Sequence, residues 1–173
     1  RHPNGYLIDL AQIRDVEHLM QTQRTVVLLK PDALQRDLLG EIIGRFERKG
    51  LKIIALKFIP FTDEIVDEHY AHHKEKPFFA ALKKFMMQTP NVAMVLEGID
   101  AVAEVRKIVG ATNPRDADAG TIRADLSMNV PSNLVHASDG VKAAEDEIKR
   151  FFDESELFSY EKMSDRYIFG EGV

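Results

Sequence analysis

Cysteine is absent from the 173 residues, which rules out disulfides, thiolate nucleophiles and cysteine-ligated metals. Also missing is any apolar run near the roughly 20 residues that a helix needs to span a bilayer. Arg1-His2-Pro3-Asn4-Gly5 begins no secretory signal, because no apolar stretch follows it. The expected location is therefore the cytoplasm. Positive charge is in deficit: 23 Lys and Arg stand against 28 Asp and Glu, a net charge of −5. Such a balance gives no global attraction for nucleic acid or an anionic membrane, and neither is an expected partner. An anionic substrate would need cations gathered locally in a cleft. Neither G-x-x-x-x-G-K-[ST] nor G-x-G-x-x-G occurs, so phosphates would have to be held by side chains and not by a glycine-rich loop.

What is present reads as one soluble globular domain, 45% hydrophobic and 29% charged, with no internal repeat and no linker. Residues 1–22 read as an N-terminal extension, with helical spacing of Leu10, Ile13, Val16, Leu19 and Met20, and 23–173 as the functional domain. Residues 25–29 form a β-rich apolar run that Pro31 stops, leaving Lys30 at the strand's carboxyl end. Leu39, Ile42, Ile43 and Phe46 follow helical spacing up to Gly50, which sits where helices often stop. A second strand spans 51–59. Thr62 is placed to cap a helix carrying Ile65, Val66 and Tyr70, and another short helix follows Pro77. Residues 92–96 give a third strand, and Asp100 is expected to cap a helix through Ile108. Residues 110–132 lose periodicity and read as a long ordered loop, of the kind that more often carries function than not. A short fourth strand at 133–136 precedes a helix expected to begin at Ser138 or Asp139, with Val141, Ala144, Ile148, Phe151 and Phe152 facing the core. The order strand, helix, strand, helices, strand, helix, strand, helix predicts an α+β fold. We expect a ferredoxin-like βαββαβ sandwich: a four-stranded antiparallel sheet with helices on one face.

His136, between an apolar strand and an acidic helix, is the candidate nucleophile, because a rigidly held neutral imidazole can attack phosphorus. Lys30 offers a point charge, Arg106 and Arg123 planar donor forks, and Thr112 a hydroxyl. Taken singly, each of these is as readily an ordinary solvated charge or a core histidine. Glu147, within Glu145-Asp146-Glu147, reads by itself as an exposed helix acid. His69, His72 and His73 read as a polar helix end, with no carboxylate or further histidine to complete a metal-ligand set.

Several motifs occur in one order: Lys30-Pro31-Asp32-Ala33-Leu34-Gln35-Arg36, Gly40-Glu41-Ile42-Ile43, Glu68-His69-Tyr70, Lys76-Pro77-Phe78-Phe79, Gly110-Ala111-Thr112-Asn113-Pro114, Gly120-Thr121-Ile122-Arg123 and Asn133-Leu134-Val135-His136-Ala137-Ser138-Asp139. Over residues 24–152 the chain resembles the nucleoside diphosphate kinase family. The resemblance implies transfer of the γ-phosphoryl group of a nucleoside triphosphate, mainly ATP, to a diphosphate through a phosphohistidine at His136. It implies that Lys30, Arg106, Thr112 and Arg123 hold phosphates, and that Lys30 and Asn133 reach the ribose. Phe78 would stack on the base near Leu82 and Val130, Tyr70 and Ser138 would line the site, and Glu147 would accept from the far imidazole nitrogen. Mg²⁺ would arrive on the nucleotide's phosphates, with no protein ligand of its own. A homo-oligomer, hexameric or tetrameric, is implied as well. Three positions depart from the family's habit: Ala137 for Gly, Gly140 for Ser and Lys76 for Arg. Ala137 would crowd the turn if a positive φ were needed there. A non-catalytic binding module on the same core, or a family member kept only as a scaffold, are the competing readings.

Overall fold

The computed structural model describes residues 22–168. The helix expected over 10–20 lies outside those residues.

Four strands form one antiparallel sheet in the order β2-β3-β1-β4: β1 (Thr22–Leu29), β2 (Lys52–Ile59), β3 (Asn91–Ile99) and β4 (Val135–Ala137). The α+β sandwich expected from the sequence is thus the observed one. β1 is central and apolar on both sides, and Val26, Val27, Leu28 and Leu29 are all fully buried. Both faces of the sheet are covered, not one. Val27, Leu29 and Met94 pack with α2 (Leu39–Lys49), α5 (Ala101–Val109) and α6 (Ile122–Leu126). Val26, Leu28 and Val95 pack with α3 (Asp63–His69), α4 (Phe79–Met86) and α7 (Val141–Phe151). The extra layer follows from the helices inserted beyond the minimal βαββαβ pattern, whose apolar faces also have to be covered.

Local signals explain most boundaries. Gly50 adopts φ 102°, a left-handed conformation that ends α2 at low cost. Thr62 Oγ1 accepts the Ile65 amide and starts α3. Other expectations need correction. A one-turn helix, α1 (Pro31–Gln35), follows β1 directly, with Pro at a position where a missing N–H costs nothing. The 110–132 stretch contains a 3₁₀ turn (Pro114–Asp116) and α6, capped by Thr121 Oγ1 on the Ala124 amide, segments too short to show periodicity. Asp100 has φ 48° and makes no side-chain cap. α7 starts at Val141 behind Gly140, not at Ser138, and Val141 is half-exposed. Ser138 is instead drawn back to β1, where its Oγ accepts the Val26 amide. Beyond α7 the chain returns along edge strand β2. The Phe158 amide donates to Ile54 O, and the Tyr160 hydroxyl to Ile53 O. A last turn, α8 (Asp165–Ile168), sets Ile168 against Gly50.

Candidate active site

β4 pairs with β1 so that His136 stands opposite Leu28, which fixes its face. Residues opposite each other in an antiparallel pair share a face, so the imidazole points to the side covered by α3 and α7. Its neighbours Val135 and Ala137 point the other way into the apolar core. Ala137 lies in regular strand without positive φ, so the extra methyl meets no backbone strain.

The turn into β4 is strained two residues earlier. Leu134 has φ 69°, unfavourable for a side chain with a Cβ by roughly 1–2 kcal/mol. The Asp32 carboxylate at the start of α1 accepts the Leu134 amide at 3.0 Å, and Leu134's own side chain is fully buried. A charge-assisted bond of about 1.5–3 kcal/mol is enough to hold the bend. The bend points Asn133 away from the sheet. Its Nδ2 donates to Thr112 O at 2.8 Å, and its Oδ1 accepts from Lys30 Nζ.

A cavity of about 650 Å³ opens there, lined by Lys30, Tyr70, Phe78, Leu82, Arg106, Thr112, Arg123, Val130, Asn133, His136 and Glu147. These are the site residues expected from the sequence, with one exception. Ser138 is fully buried behind the cavity wall, where its hydroxyl donates to Glu147 Oε2 at 2.6 Å. The sequence also missed residues: His69, His73 and Asp139 line the same cavity.

The electrostatics are basic at the wall and tightly held. Burial pushes Lys30 down to about 8, against the pull of Asp32 and with the repulsion of Arg123. Arg123 is pinned by three carbonyls, of Asn133, Gly110 and Val135, and burial followed by the nearby Arg106 lowers it to about 10. Gly110 has φ 85°, and a Cβ there would meet Thr121 Oγ1 at 2.5 Å, so this carbonyl cannot be presented by another residue without strain. Arg106 is exposed and pairs with Asp139 at 2.6 Å. Phe78 is half-exposed at the mouth, while Phe79 packs on the core. Burial and the Glu147 charge push the Tyr70 hydroxyl up, so it stays protonated.

Glu147 is buried, contrary to its reading as a surface acid. Its Oε1 lies 2.9 Å from His136 Nε2. Burial alone would raise its pKa, but the His136 and Ser138 bonds with the neighbouring charge outweigh it, and the carboxyl stays below its ordinary value. An ionised Glu147 accepts only, so Nε2 carries the proton and Nδ1 the lone pair. The arrangement is a fixed imidazole, free at one nitrogen, beside three cationic side chains in a cleft.

Comparison with known proteins gives one answer. The family profile described as nucleoside diphosphate kinase matches residues 23–157. The nucleoside diphosphate kinase of Archaeoglobus fulgidus is 50% identical over 149 residues, covering 86% of this chain and 99% of that protein. That of Pyrococcus horikoshii is 49% identical over 158 residues, covering 90% and 100%. Among solved structures, a halophilic nucleoside diphosphate kinase from Halobacterium salinarum in complex with CDP superposes with a TM-score of 0.83 at 43% identity, covering 86% of this chain and 99% of that one. Sequence and fold agree over nearly the whole length of these relatives, and the chain belongs to the nucleoside diphosphate kinase family, phosphotransferases that act on nucleotides.

Proposed function

We propose that His136 is the residue phosphorylated in the family's ping-pong exchange between nucleoside triphosphates and diphosphates. Nδ1 attacks the γ-phosphorus. The bond to the β–γ bridging oxygen breaks, and the diphosphate leaves with that electron pair. A second diphosphate then attacks the phosphohistidine through its terminal oxygen and returns the lone pair to Nδ1. The observation that carries this reading is the 2.9 Å contact of Nε2 with Glu147, which keeps the proton off the attacking nitrogen. The same carboxylate offsets the positive charge that the ring gains on phosphorylation.

Lys30, Arg106, Arg123 and Thr112 are the proposed phosphate holders. Phosphoryl transfer asks chiefly for alignment and for charge around the moving group, and their shared cavity supports both. Arg106 would exchange Asp139 for a phosphate. Lys30 and Asn133, already bonded to each other, would meet the ribose hydroxyls. Phe78 would stack on the base, with Leu82 and Val130 beside it and Tyr70 completing the wall. Ser138 acts through Glu147 by fixing its orientation.

Mg²⁺ is the proposed divalent cation, carried by the nucleotide's phosphates. Of the two acids that line the cavity, Glu147 is held by His136 and Ser138, and Asp139 is a single exposed carboxylate once Arg106 turns to a phosphate, so no cage of carboxylates is presented to magnesium. When bound, the ion neutralises phosphate charge. We place the catalytic domain at 23–173 with 1–22 as an extension, in a cytoplasmic homo-oligomer of six or four chains. Half-exposed Leu56 and Phe58 on edge strand β2 supply apolar surface for a neighbouring copy. Among the described residues no helix is long and apolar enough to cross a membrane.

The test is labelling with γ-labelled ATP and magnesium without acceptor. The protein should take up an acid-labile, alkali-stable label that GDP or CDP discharges. A labelled His136→Ala protein would assign the nucleophile elsewhere.

A further inference from the structure

His69 is the buried polar group that phosphoryl transfer leaves unused. The sequence groups it with His72 and His73 on a polar helix end, but α3 turns it inward. Its side chain is 2% exposed, packed among Phe61, Tyr70 and Phe151 and edge-on to His136 at a centroid distance of 4.6 Å. Neither ring nitrogen has a hydrogen-bond partner among the described residues. Unmet buried groups are uncommon and call for an account.

The account lies in what the nitrogens face. His69 Nδ1 is 3.9 Å from Glu147 Oε1, and His136 Nε2 is 2.9 Å from the same oxygen. One donor atom from each of the three residues lies within 4.8 Å of the others. Two imidazoles and a carboxylate are a zinc-type set, with bonds of about 2.0–2.2 Å that place tetrahedral donors about 3.3 Å apart. Side-chain shifts of up to about 1.5 Å would close the set. Ser138 already orients the carboxylate from behind through Oε2, as outer-shell partners of metal ligands do. All three residues line the cavity, through which an ion, with a water as fourth ligand, would reach them.

We propose that His69, His136 and Glu147 form a binding site for a borderline divalent transition ion such as Zn²⁺, and that occupancy switches the nucleophile off. Coordination uses the Nε2 lone pair of His136. The ring proton must then move to Nδ1, the atom that would attack phosphorus, so one proton changes place within the ring and no electron is transferred. The ion-binding half stands on geometry alone, while the inhibition half rests on His136 being the nucleophile. Mg²⁺ would not compete, because it prefers oxygen ligands in an octahedral shell.

Zn²⁺ alone is titrated by calorimetry into the nucleotide-free full chain, wild type and His69→Phe, a ring that suits the same apolar slot. One ion should bind wild type, and the variant should lose at least about a hundredfold in affinity. In ¹⁵N-histidine NMR of wild type, the ring nitrogens of His69 and His136 should move while those of His72 and His73 stay. This measurement is independent of whether the variant folds. At the same chelator-buffered free Zn²⁺, labelling by ATP should fall in wild type but not in His69→Phe, each against its own zinc-free rate. Absence of binding, equal affinity in both proteins, or shifts at His72 and His73 would overturn the site. Zinc bound at the three residues with labelling unimpaired would overturn the switch. A labelled His136→Ala protein would remove the nucleophile assignment and the switch with it, and the calorimetry would still decide the site.

Discussion

Val27 and Leu29 face one side of the central strand, Val26 and Leu28 the other, and the two sides have been put to different uses. Over the first, Ile42, Phe46, Val105 and Ile122 close on Met94 and Leu96 of the sheet in an apolar layer whose buried polar side chain on β1 is the small Thr25. Over the second, Phe61, Val66, Met86 and Phe151 share the space with buried His69, Ser138 and Glu147. Each buried polar group is unfavourable unless paired, and His69 is unpaired. The first face therefore carries the stability that the second gives up to hold a proton on one nitrogen of His136. A mutation on the first face should change how much protein is folded. One on the second should change what the folded protein does.

The largest effect should come from His136→Ala, a loss of phosphoryl transfer on the order of a million-fold, as for deletion of a covalent nucleophile. Steady-state exchange between ATP and GDP measures it, while urea unfolding should show a folded protein weakened only by the lost partner of Glu147, about 1–3 kcal/mol. A variant that loses activity only by unfolding would break the division between faces. Phe46→Ala is the converse. The side chain is fully buried, and its removal should lower stability by about 3–5 kcal/mol. Denaturant titration gives that number, while kcat per phosphorylatable molecule should stay at the wild-type value.

Glu147→Gln comes next. An amide can donate as well as accept, so Nε2 is no longer held protonated, and kcat should fall about a hundredfold with KM nearly unchanged. An equal change in KM would mean that Glu147 serves nucleotide binding and not the ring. Lys30→Met should separate stability from function in one residue. The folded lysine has a pKa near 8 against the ordinary 10.5, so between these values the unfolded chain binds more protons and stability rises with pH. At pH 7 the buried charge is a liability. Methionine should raise stability there by about 2 kcal/mol while weakening nucleotide binding. The gain should shrink as pH climbs from 8 toward 10.5, where wild-type lysine turns neutral on its own. Urea titrations at pH 7 and pH 10 distinguish this from a variant that is destabilised at both.

The same division describes what could be read from the chain before its fold was known. The first face is legible: Leu39, Ile42, Ile43 and Phe46 repeat at helical spacing and Gly50 ends them. On the second face the signal was present but its chemistry misled. Ala144, Ile148 and Phe151 bracket Glu147 on one side of α7, and Ile65 and Val66 precede His69 by four and three positions on α3. Periodicity places both residues inward, against the general preference of charged and polar residues for the surface. Only the family motifs join the residues of the cavity wall, since Lys30, Arg106, Thr112 and Arg123 sit on separate elements with no common spacing. The positive φ of Leu134 left no trace in the sequence, because it is imposed by Asp32 from more than 100 residues away in the chain.

The smallest effect tests the rim where the two uses meet. Phe78 stands half-exposed at the cavity mouth, with the His73 ring edge-on at 5.3 Å and the Lys76 ammonium 5.8 Å from its centroid. It belongs to neither apolar layer, so Phe78→Ala should leave the unfolding midpoint where it was. As a stacking platform it should contribute about 1 kcal/mol to nucleotide affinity, a rise in KM of five- to tenfold with kcat unchanged. A flat ring meets the face that every base has and reads no hydrogen-bonding edge, so the rise should be the same for purine and pyrimidine nucleotides. Parallel measurements with ATP and CTP as donors decide it. A loss confined to one base would show that His73 or another polar group at the mouth reads the base edge, and that Phe78 only positions it.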